Sequence, residues 1–512
     1  MRTARLELRP RQERCAGYMS YVVNVPGKPS RRPAGVFMGA ALCIGLWTAV
    51  STLVLLTSGS WYRTTLLIGI TSVLVLPLYV RSMMGRFDCF EPIVWATAAL
   101  GGMFVVRPLL DLIAGRSFHL GIDISTKFDS ALLAALIGIV AFQCGYASGL
   151  GRFLASKIGR IPARFNIRST ALAAGLTSVT ALFLFGVFIA ANGGLGTLES
   201  ISSGRTTAED TLFRSNTGYL YNSLDTLMAA GTLFFALGVA SKRRILLAIA
   251  VVVLLVPGAL HFLRGDRSAM LPFLAIPIFW YLYHQRRPSV LKCIAATLIL
   301  FTVLGFFRDI RNGDTRTDNL WRATENAIAN PFSAALRVAD GADDEMFDAL
   351  TATMVVVPNL LPYRPGGTLL DIPVRALPRV LFPNKPMEVN DAVTSAIWPE
   401  RYRYTRGMPA LSILGPFYAD SWYIGIGIGM FGIGTLCAAI WHWYRMNSNK
   451  LFAIIIYSAL LPFVVHLLRG TIPDTLAHLF FAAFPIIVIH LLITWPNRHA
   501  HQRVCRLTAQ AF

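Results

Sequence analysis

Arginine, histidine and aspartate recur where the long apolar runs of this chain begin and end. Arg264, Asp266 and Arg267 share the short interruption HFLRGDR, which His261 opens. Arg308 and Arg311 lie where a later run gives way to polar sequence. His466 and Arg469 close one run, and Asp474 and His478 open the next. Arg107, Asp111, Asp225 and Asp420 fall inside runs. Ionisable groups within apolar spans are costly, so each is a functional candidate by default. Guanidinium groups recognise phosphate and pyrophosphate through planar, charge-assisted pairs. At a low-dielectric interface they also stabilise a departing pyrophosphate. A His or Asp nearby can take a proton from an attacking hydroxyl. By depth and charge, His261, Asp266 and His466 are the candidate catalytic residues. Arg264, Arg267, Arg308, Arg311 and Arg469 are the candidate pyrophosphate ligands.

The elements that must position them are membrane helices. Of the 512 residues 54% are hydrophobic and 14% charged, with mean hydropathy +0.55, whereas a soluble protein carries about 25% charged residues. Runs long enough to cross a core of about 30 Å occupy 36–58, 64–81, 91–112, 129–150, 169–191, 218–240, 244–262, 268–284, 290–307, 411–440, 451–468 and 474–494. The break at 262–268 is the weakest. The expected fold is therefore an all-α polytopic membrane protein with about 12 transmembrane helices. It divides into a basic cytoplasmic segment 1–35, helices one to nine over 36–308, a large outer loop 309–410, helices ten to twelve over 411–494, and a cytoplasmic tail 495–512. The first run follows a basic leader without a small-residue cleavage pattern, and reads as an uncleaved anchor.

The formal net charge of +20 does not point to nucleic acid, because the basic residues collect in alternate short segments. Arg152, Lys157, Arg160, Arg164 and Arg168 are one such set, and Lys242, Arg243 and Arg244 another. The positive-inside rule puts these and both termini in the cytoplasm. The polar residues above then fall in the outer half of the membrane, while Glu91 and His490 are the main inner examples. The seven cysteines offer no disulfide framework or metal pair. No HExxH, P-loop or EF-hand occurs, so neither metal nor other cofactor is expected. Gly427, Gly429 and Gly432 spell GxGxxG inside an apolar run, where close helix packing explains them better than a nucleotide. Arg264-Gly265-Asp266 is a chance tripeptide without adhesive meaning.

Bland readings compete at several positions. Arg63, Arg116 and Arg214 suit snorkelling. His478 suits a hydrogen-bonded packing role, and Asp420 and Asp474 suit salt bridges or helix caps. Within the outer loop, TENAIANPFSAALRVAD and DDEMFDALTATMVVV read as short helices, the second with an acidic first turn. LPRVLFPNKP is barred from regular structure by its prolines. The loop is expected to fold back over the outer face of the bundle.

An outer-face zone of Arg, His and Asp suits glycosyl transfer from a lipid-linked pyrophosphate. The chain also resembles the Wzy-type O-antigen polymerases, the oligosaccharide repeat-unit polymerases of bacteria. Many spans, cytoplasmic termini and one large late loop carry the likeness in layout. HFLRGDRSAMLPFL (261–274), LPRVLFPNKP (377–386) and GPFYADSWYIGIGIG (415–429) carry it locally. The resemblance implies a metal-independent membrane glycosyltransferase of the C-type (GT-C) class, with a periplasmic loop, in the bacterial inner membrane. It implies polymerisation of undecaprenyl-pyrophosphate-linked oligosaccharides into O-antigen or exopolysaccharide. It adds Arg379 and Lys385 to Arg264 and Arg267 as pyrophosphate ligands. Membrane lipids, a chain-length regulator and a flippase are the implied partners. Two rivals are an O-antigen ligase, which uses the same donor, and a lipid-linked oligosaccharide flippase, which would line a central cavity with charge at many depths. A synthase using cytoplasmic nucleotide sugars would need a larger inner domain than any inner loop provides.

Overall fold

The computed structural model describes residues 33–493, except 58, 120, 162–165, 195, 199–217, 265–271, 377–386, 405–410 and most of 287–344. The described residues are about 83% helical, and the one β feature among them is a two-residue antiparallel ladder, β1 (Phe118–His119) with β2 (Ile122–Asp123). Among the described residues nine helices are long and apolar enough to cross a membrane, or ten if one bent pair is a single span. Apolar segments of this length fold as helices because only a helix satisfies its own N–H and C=O groups in lipid.

The helices that matter for the site are, in chain order, α1 (Pro33–Thr57), α2 (Trp61–Met83), α3 (Pro92–Ala114), α4 (Ser125–Ala147), α5 (Gly149–Ile158) and α6 (Ile167–Ala191). Then come α7 (Ser223–Ser241), α8 (Arg244–Arg264) and α9 (Ala275–Tyr283). The short helices α10 (Met346–Val356), α11 (Gly367–Ala376), α12 (Val389–Ile397) and α13 (Pro399–Tyr404) come from the expected outer loop. The chain finishes with α14 (Leu414–Asn447), α15 (Leu451–Arg469) and the bent pair α16 (Ile472–Ala482) and α17 (Phe484–Ile493).

Expected spans one to seven and ten to twelve coincide with α1–α4, α6–α8 and α14–α17. The described part of the eighth is the shorter apolar stretch Pro272–Tyr283. The ninth lies mostly outside the described residues, as do the first loop helix and LPRVLFPNKP.

The core forms where α14 packs on α4. Small residues bring the two backbones together, as expected where lipid offers no hydrophobic drive between helices. A methyl group at Gly434 would overlap the Phe142 carbonyl, and one at Gly145 would overlap the Phe431 carbonyl. The GxGxxG glycines behave differently from one another. Gly429 lies against the Phe417 ring, whereas Gly427 and Gly432 have nothing within 4 Å. Close packing therefore explains Gly429 alone of the three.

The loop helices do return to the bundle, but α10 enters it rather than covering it. Every α10 residue except Val355 is buried. Its Phe347 ring meets Phe128, at the start of α4, edge-on at 4.9 Å between centroids.

Candidate functional site

At the end of the bundle where α3 finishes, two polar clusters form. The first is closed. A π turn at Gly102–Val106 inserts an extra residue immediately before Arg107 and so rotates the last turns of α3 relative to the first. Arg107 is thereby aimed into the core. Its Nε and Nη2 donate to Asp348 Oδ2 at 3.0 and 2.6 Å, and Asp111, one turn on, lies 3.3 Å from its Nε. Side-chain exposure is 4% for Arg107, 0% for Asp111 and 1% for Asp348. Arg116 reaches Asp111 at 3.6 Å from the rim. His119, on β1, lies 3.6 Å from Asp348 and 3.7 Å from Glu345, and Trp398 packs edge-on against its ring. The acidic first turn of α10 is thus the buried counter-charge of a membrane arginine, in addition to any helix-dipole role.

The second cluster is open. It is built from α7, α8, α11, α15 and α16. Pro462 divides α15, and the last segment, Phe463–Arg469, carries His466. The chain turns at Gly470. Thr471 then caps α16, its hydroxyl accepting from Asp474 N at 3.3 Å, with Pro473 in the first turn. This start stacks Asp474 and His478 one turn apart on one helix face. His466 Nδ1 pairs with Thr475 Oγ1 at 2.9 Å, and its Nε2 lies 3.8 Å from Asp474. The His466 and His478 rings meet edge-on at 5.3 Å. His478 Nδ1 bonds Asp225 Oδ2, from the first turn of α7, at 2.8 Å. His261 approaches the other oxygen of Asp225 at 4.0 Å. Arg375, at the end of α11, donates to Asp474 at 2.7 Å and to Glu388 at 3.0 Å.

Accessibility distinguishes this cluster from the first. Asp225 and His261 are buried, but His478, Arg375 and Asp474 are 27%, 33% and 37% exposed. Burial opposes the charge on Arg375, yet Asp474 and Glu388 outweigh it and hold the guanidinium firmly protonated. One turn deeper, a small recess of about 10 Å³ is lined by Met228, Ala275, Phe463, Ala482 and Ile486. Met228 follows Asp225 by one turn, and Ala482 follows His478 by one turn, so the apolar recess sits directly beneath the polar rim.

Asp420 belongs to neither cluster. It accepts from Thr368 N at 3.0 Å, beside a break at Ser421 and Trp422 that divides α14. Asp371 nearby accepts from Val389 N at 2.6 Å and pairs with Arg364 at 3.1 Å. Burial raises the Asp371 carboxyl above its ordinary range, against the pull of Val389 N–H and Arg364. Glu91 and His490, expected on the inner side, have neighbours of their own. Glu91 meets Arg81 at 3.2 Å and accepts from Tyr146 Oη at 2.9 Å, and the His490 ring lies 4.5 Å from that of Phe452.

Of the residues expected from sequence, the structure brings His261 and His466 into one cluster. Arg469 ends α15 three residues beyond His466, and Arg264 ends α8 three residues beyond His261. Asp266, Arg267, Arg308, Arg311, Arg379 and Lys385 lie outside the described residues, as does Arg214. Arg63 and Arg116, expected to snorkel, instead meet carboxylates. Arg63 pairs with Asp129 at 2.6 Å. Arg375 carries no signal in the sequence, and the local signals of His478 and Asp225 are weaker than their place in the cluster. Asp474 and His478, spaced i and i+4 at a helix start, were the available signal. Nothing local to Asp225 announces a partner that lies 253 residues away.

The family model for the O-antigen polysaccharide polymerase Wzy matches residues 43–329, more than half of the chain. Comparison with curated proteins and with solved structures gave no match. The matched stretch carries Arg107, Asp225, His261 and residues 265–271 after α8, while His466, Asp474 and His478 fall beyond it. Together with its apolar helices, this match makes the chain a multi-pass membrane protein of the O-antigen polysaccharide polymerase Wzy family.

Proposed function

We propose that this polymerase joins oligosaccharide repeat units carried on undecaprenyl pyrophosphate, at the periplasmic face of the inner membrane. In this reading the bundle has twelve spans of the C-type glycosyltransferase class, with both termini cytoplasmic and residues 309–410 periplasmic. The chemical step needs no metal ion. Membrane lipids, a flippase that supplies the units and a chain-length regulator are the partners.

One observation carries the reading: an accessible cluster of His466, His478, Asp225, Asp474 and Arg375 at one end of the bundle. The dianionic linker of a lipid pyrophosphate sugar suits the guanidinium of this cluster, and a sugar hydroxyl suits its histidines. The acceptor hydroxyl attacks the anomeric carbon of the donor glycan. The bond from that carbon to the pyrophosphate oxygen breaks, and the lipid pyrophosphate leaves with the bonding pair. The hydroxyl proton passes to His478. Asp225 holds the Nδ1 side of that ring, which orients Nε2 as the base and stabilises the imidazolium that forms. His261 and His466 complete the network around these two residues. Arg375 and Arg469, with Arg264, Arg267, Arg308, Arg311, Arg379 and Lys385 brought by the adjoining segments, neutralise the leaving pyrophosphate.

Glycan banding in a deletion strain tests the function. Loss of a polymerase leaves lipid A-core bearing one repeat unit. Loss of a ligase would leave lipid A-core bare while lipid-linked polymer accumulates, and would overturn the reading. Reporter fusions at Gly341 and at the C-terminus should report opposite compartments. Polymer formation by purified protein should survive chelation by EDTA.

A further inference from the structure

We infer that His466, His478 and Asp474 form a binding site for one divalent transition-metal ion of the zinc class, an ion the proposed transfer step does not itself use. One donor atom from each of the three lies within 4.8 Å of the others. A tetrahedral ion with ligands at about 2.1 Å sets its donors roughly 3.4 Å apart, and His466 Nε2 and Asp474 Oδ2 are already at 3.8 Å. Small side-chain rotations close the set.

The surroundings match those of a built site. Metal-bound histidines characteristically hold their second ring nitrogen in a hydrogen bond that fixes tautomer and orientation. His478 Nδ1 is held by Asp225 at 2.8 Å and His466 Nδ1 by Thr475 at 2.9 Å, which assigns Nε2 of both rings to the ion. Asp474 offers one oxygen to the set, and its other oxygen is anchored by Arg375 at 2.7 Å. Helix spacing supplies the rest. Asp474 and His478 share a face of α16 at i and i+4, and the turn at Gly470 returns His466 beside them. Two imidazoles and one carboxylate favour zinc, nickel or copper over magnesium or calcium, which take all-oxygen sets. Arg375 beside the carboxylate further disfavours a hard cation that depends on negative charge.

The consequence for activity rests on the reading of His478 as the base. An ion at this site takes the lone pair that would accept the hydroxyl proton. Zinc therefore inhibits polymer formation, although the reaction itself uses no metal.

The experiment is a metal titration of the purified full chain in detergent, without a polyhistidine tag. The background carries His499→Ala and His501→Ala, because the His-Ala-His sequence of the tail binds metals by itself. Cobalt(II) should bind at one ion per chain with the absorption of a four- or five-coordinate centre, and zinc should displace it. His478→Gln and Asp474→Asn should each weaken binding at least about tenfold. Asp225→Asn touches no ion and keeps its shape, and should weaken binding about 10- to 100-fold. His442→Ala should leave binding unchanged. Zinc should raise the melting temperature of the parent and not that of Asp225→Asn, which decides the matter if a ligand variant misfolds. Absence of stoichiometric binding, or binding indifferent to Asp474→Asn and Asp225→Asn, overturns the site. Binding is measured without substrate, so it stands or falls separately from the polymerase assignment. Stoichiometric binding with no loss of polymer would remove His478 as the base.

Discussion

Arg107 with Asp348 and Arg375 with Asp474 are chemically the same pair, joined at 2.6 and 2.7 Å. Their surroundings make them different devices. The first pair is sealed, with 4% and 1% of the side chains exposed, and it ties α3 to α10 across 241 residues of sequence. The second is about a third exposed on both sides and leads through Asp474 to His466 and His478. A sealed pair has no route to a substrate and acts as a lock on the inserted helix. An open pair beside histidines is reachable from outside, which is why the proposed transfer step is placed there. Residue type does not separate structure from function in this bundle. Accessibility and the identity of the next neighbour do.

The largest expected effect lies on the open side. His478→Ala removes the proposed base, and general-base catalysis contributes about 10²- to 10⁴-fold. Polymer per unit of membrane protein should fall by that order, far beyond any loss of abundance that follows from leaving Asp225 without its 2.8 Å partner. Normal polymer from His478→Ala would reduce the open cluster to packing and erase the contrast with the lock.

Next comes the segment 265–271 that follows α8. Its entry places His261 beside Asp225, so Arg267 is only a few residues along the chain from the open cluster. Loss of one preorganised charge donor typically costs on the order of 100-fold or more in rate. Arg267→Ala should show that loss, and Arg267→Lys most of it, because an ammonium cannot clamp two oxygens as a guanidinium does. Full-length polymer from Arg267→Ala at wild-type abundance would remove this segment from the proposed site and shift the search to Arg308, Arg311 and Arg469.

The lock should respond in stability rather than rate. Arg107→Leu or Asp348→Leu alone strands a buried charge, at a cost of about 3–5 kcal/mol. Membrane abundance and melting temperature should drop, and the polymer made per surviving molecule should not. The double substitution removes both charges and should recover much of the loss, since apolar replacement of a buried pair is often close to neutral. A double variant that stays stable yet makes no polymer would move the closed cluster into the catalytic machinery.

What the sequence made legible follows from the length of the interaction read. Ten of the spans were visible because apolar length is a local property, and His261 and His466 were visible because charge at a span end is local too. The division into two clusters was not. It depends on α10 entering the bundle, and an apolar stretch of 11 residues is too short to announce itself as a membrane element. Asp348 consequently read as a helix-dipole residue, and its pairing with Arg107 required the fold. His478 read as packing because Asp225, its partner, sits on a helix far earlier in the chain. Arg375 was overlooked in a proline-rich stretch where no periodicity marks a face. Arg63 and Arg116 read as snorkelling residues because a lone basic residue at a span end gives no hint of a carboxylate across the turn or on the next helix.

The smallest expected effect belongs to Arg116, and it sharpens the distinction from within the lock. Arg116 faces the same Asp111 carboxylate as Arg107, at 3.6 Å against 3.3 Å, but its side chain is 35% exposed where that of Arg107 is 4%. If accessibility rather than proximity decides what a pair is worth, these two arginines should differ several-fold in consequence. Exposed ion pairs contribute roughly 0–1 kcal/mol because water and salt screen them and the long side chain loses entropy on pairing. Truncating Arg116 leaves Asp111 still opposite Arg107, so no buried charge is stranded. Arg116→Ala should therefore lower stability by less than about 1 kcal/mol and leave polymer length and amount at wild-type levels, measured beside Arg107→Leu in the same membranes. Raising ionic strength should shrink the small Arg116 effect and leave the Arg107 effect intact, because only the exposed pair is screened. A loss from Arg116→Ala as large as that from Arg107→Leu would mean that the rim guanidinium is part of the sealed charge balance. The boundary between lock and open site would then lie further out than the exposures place it.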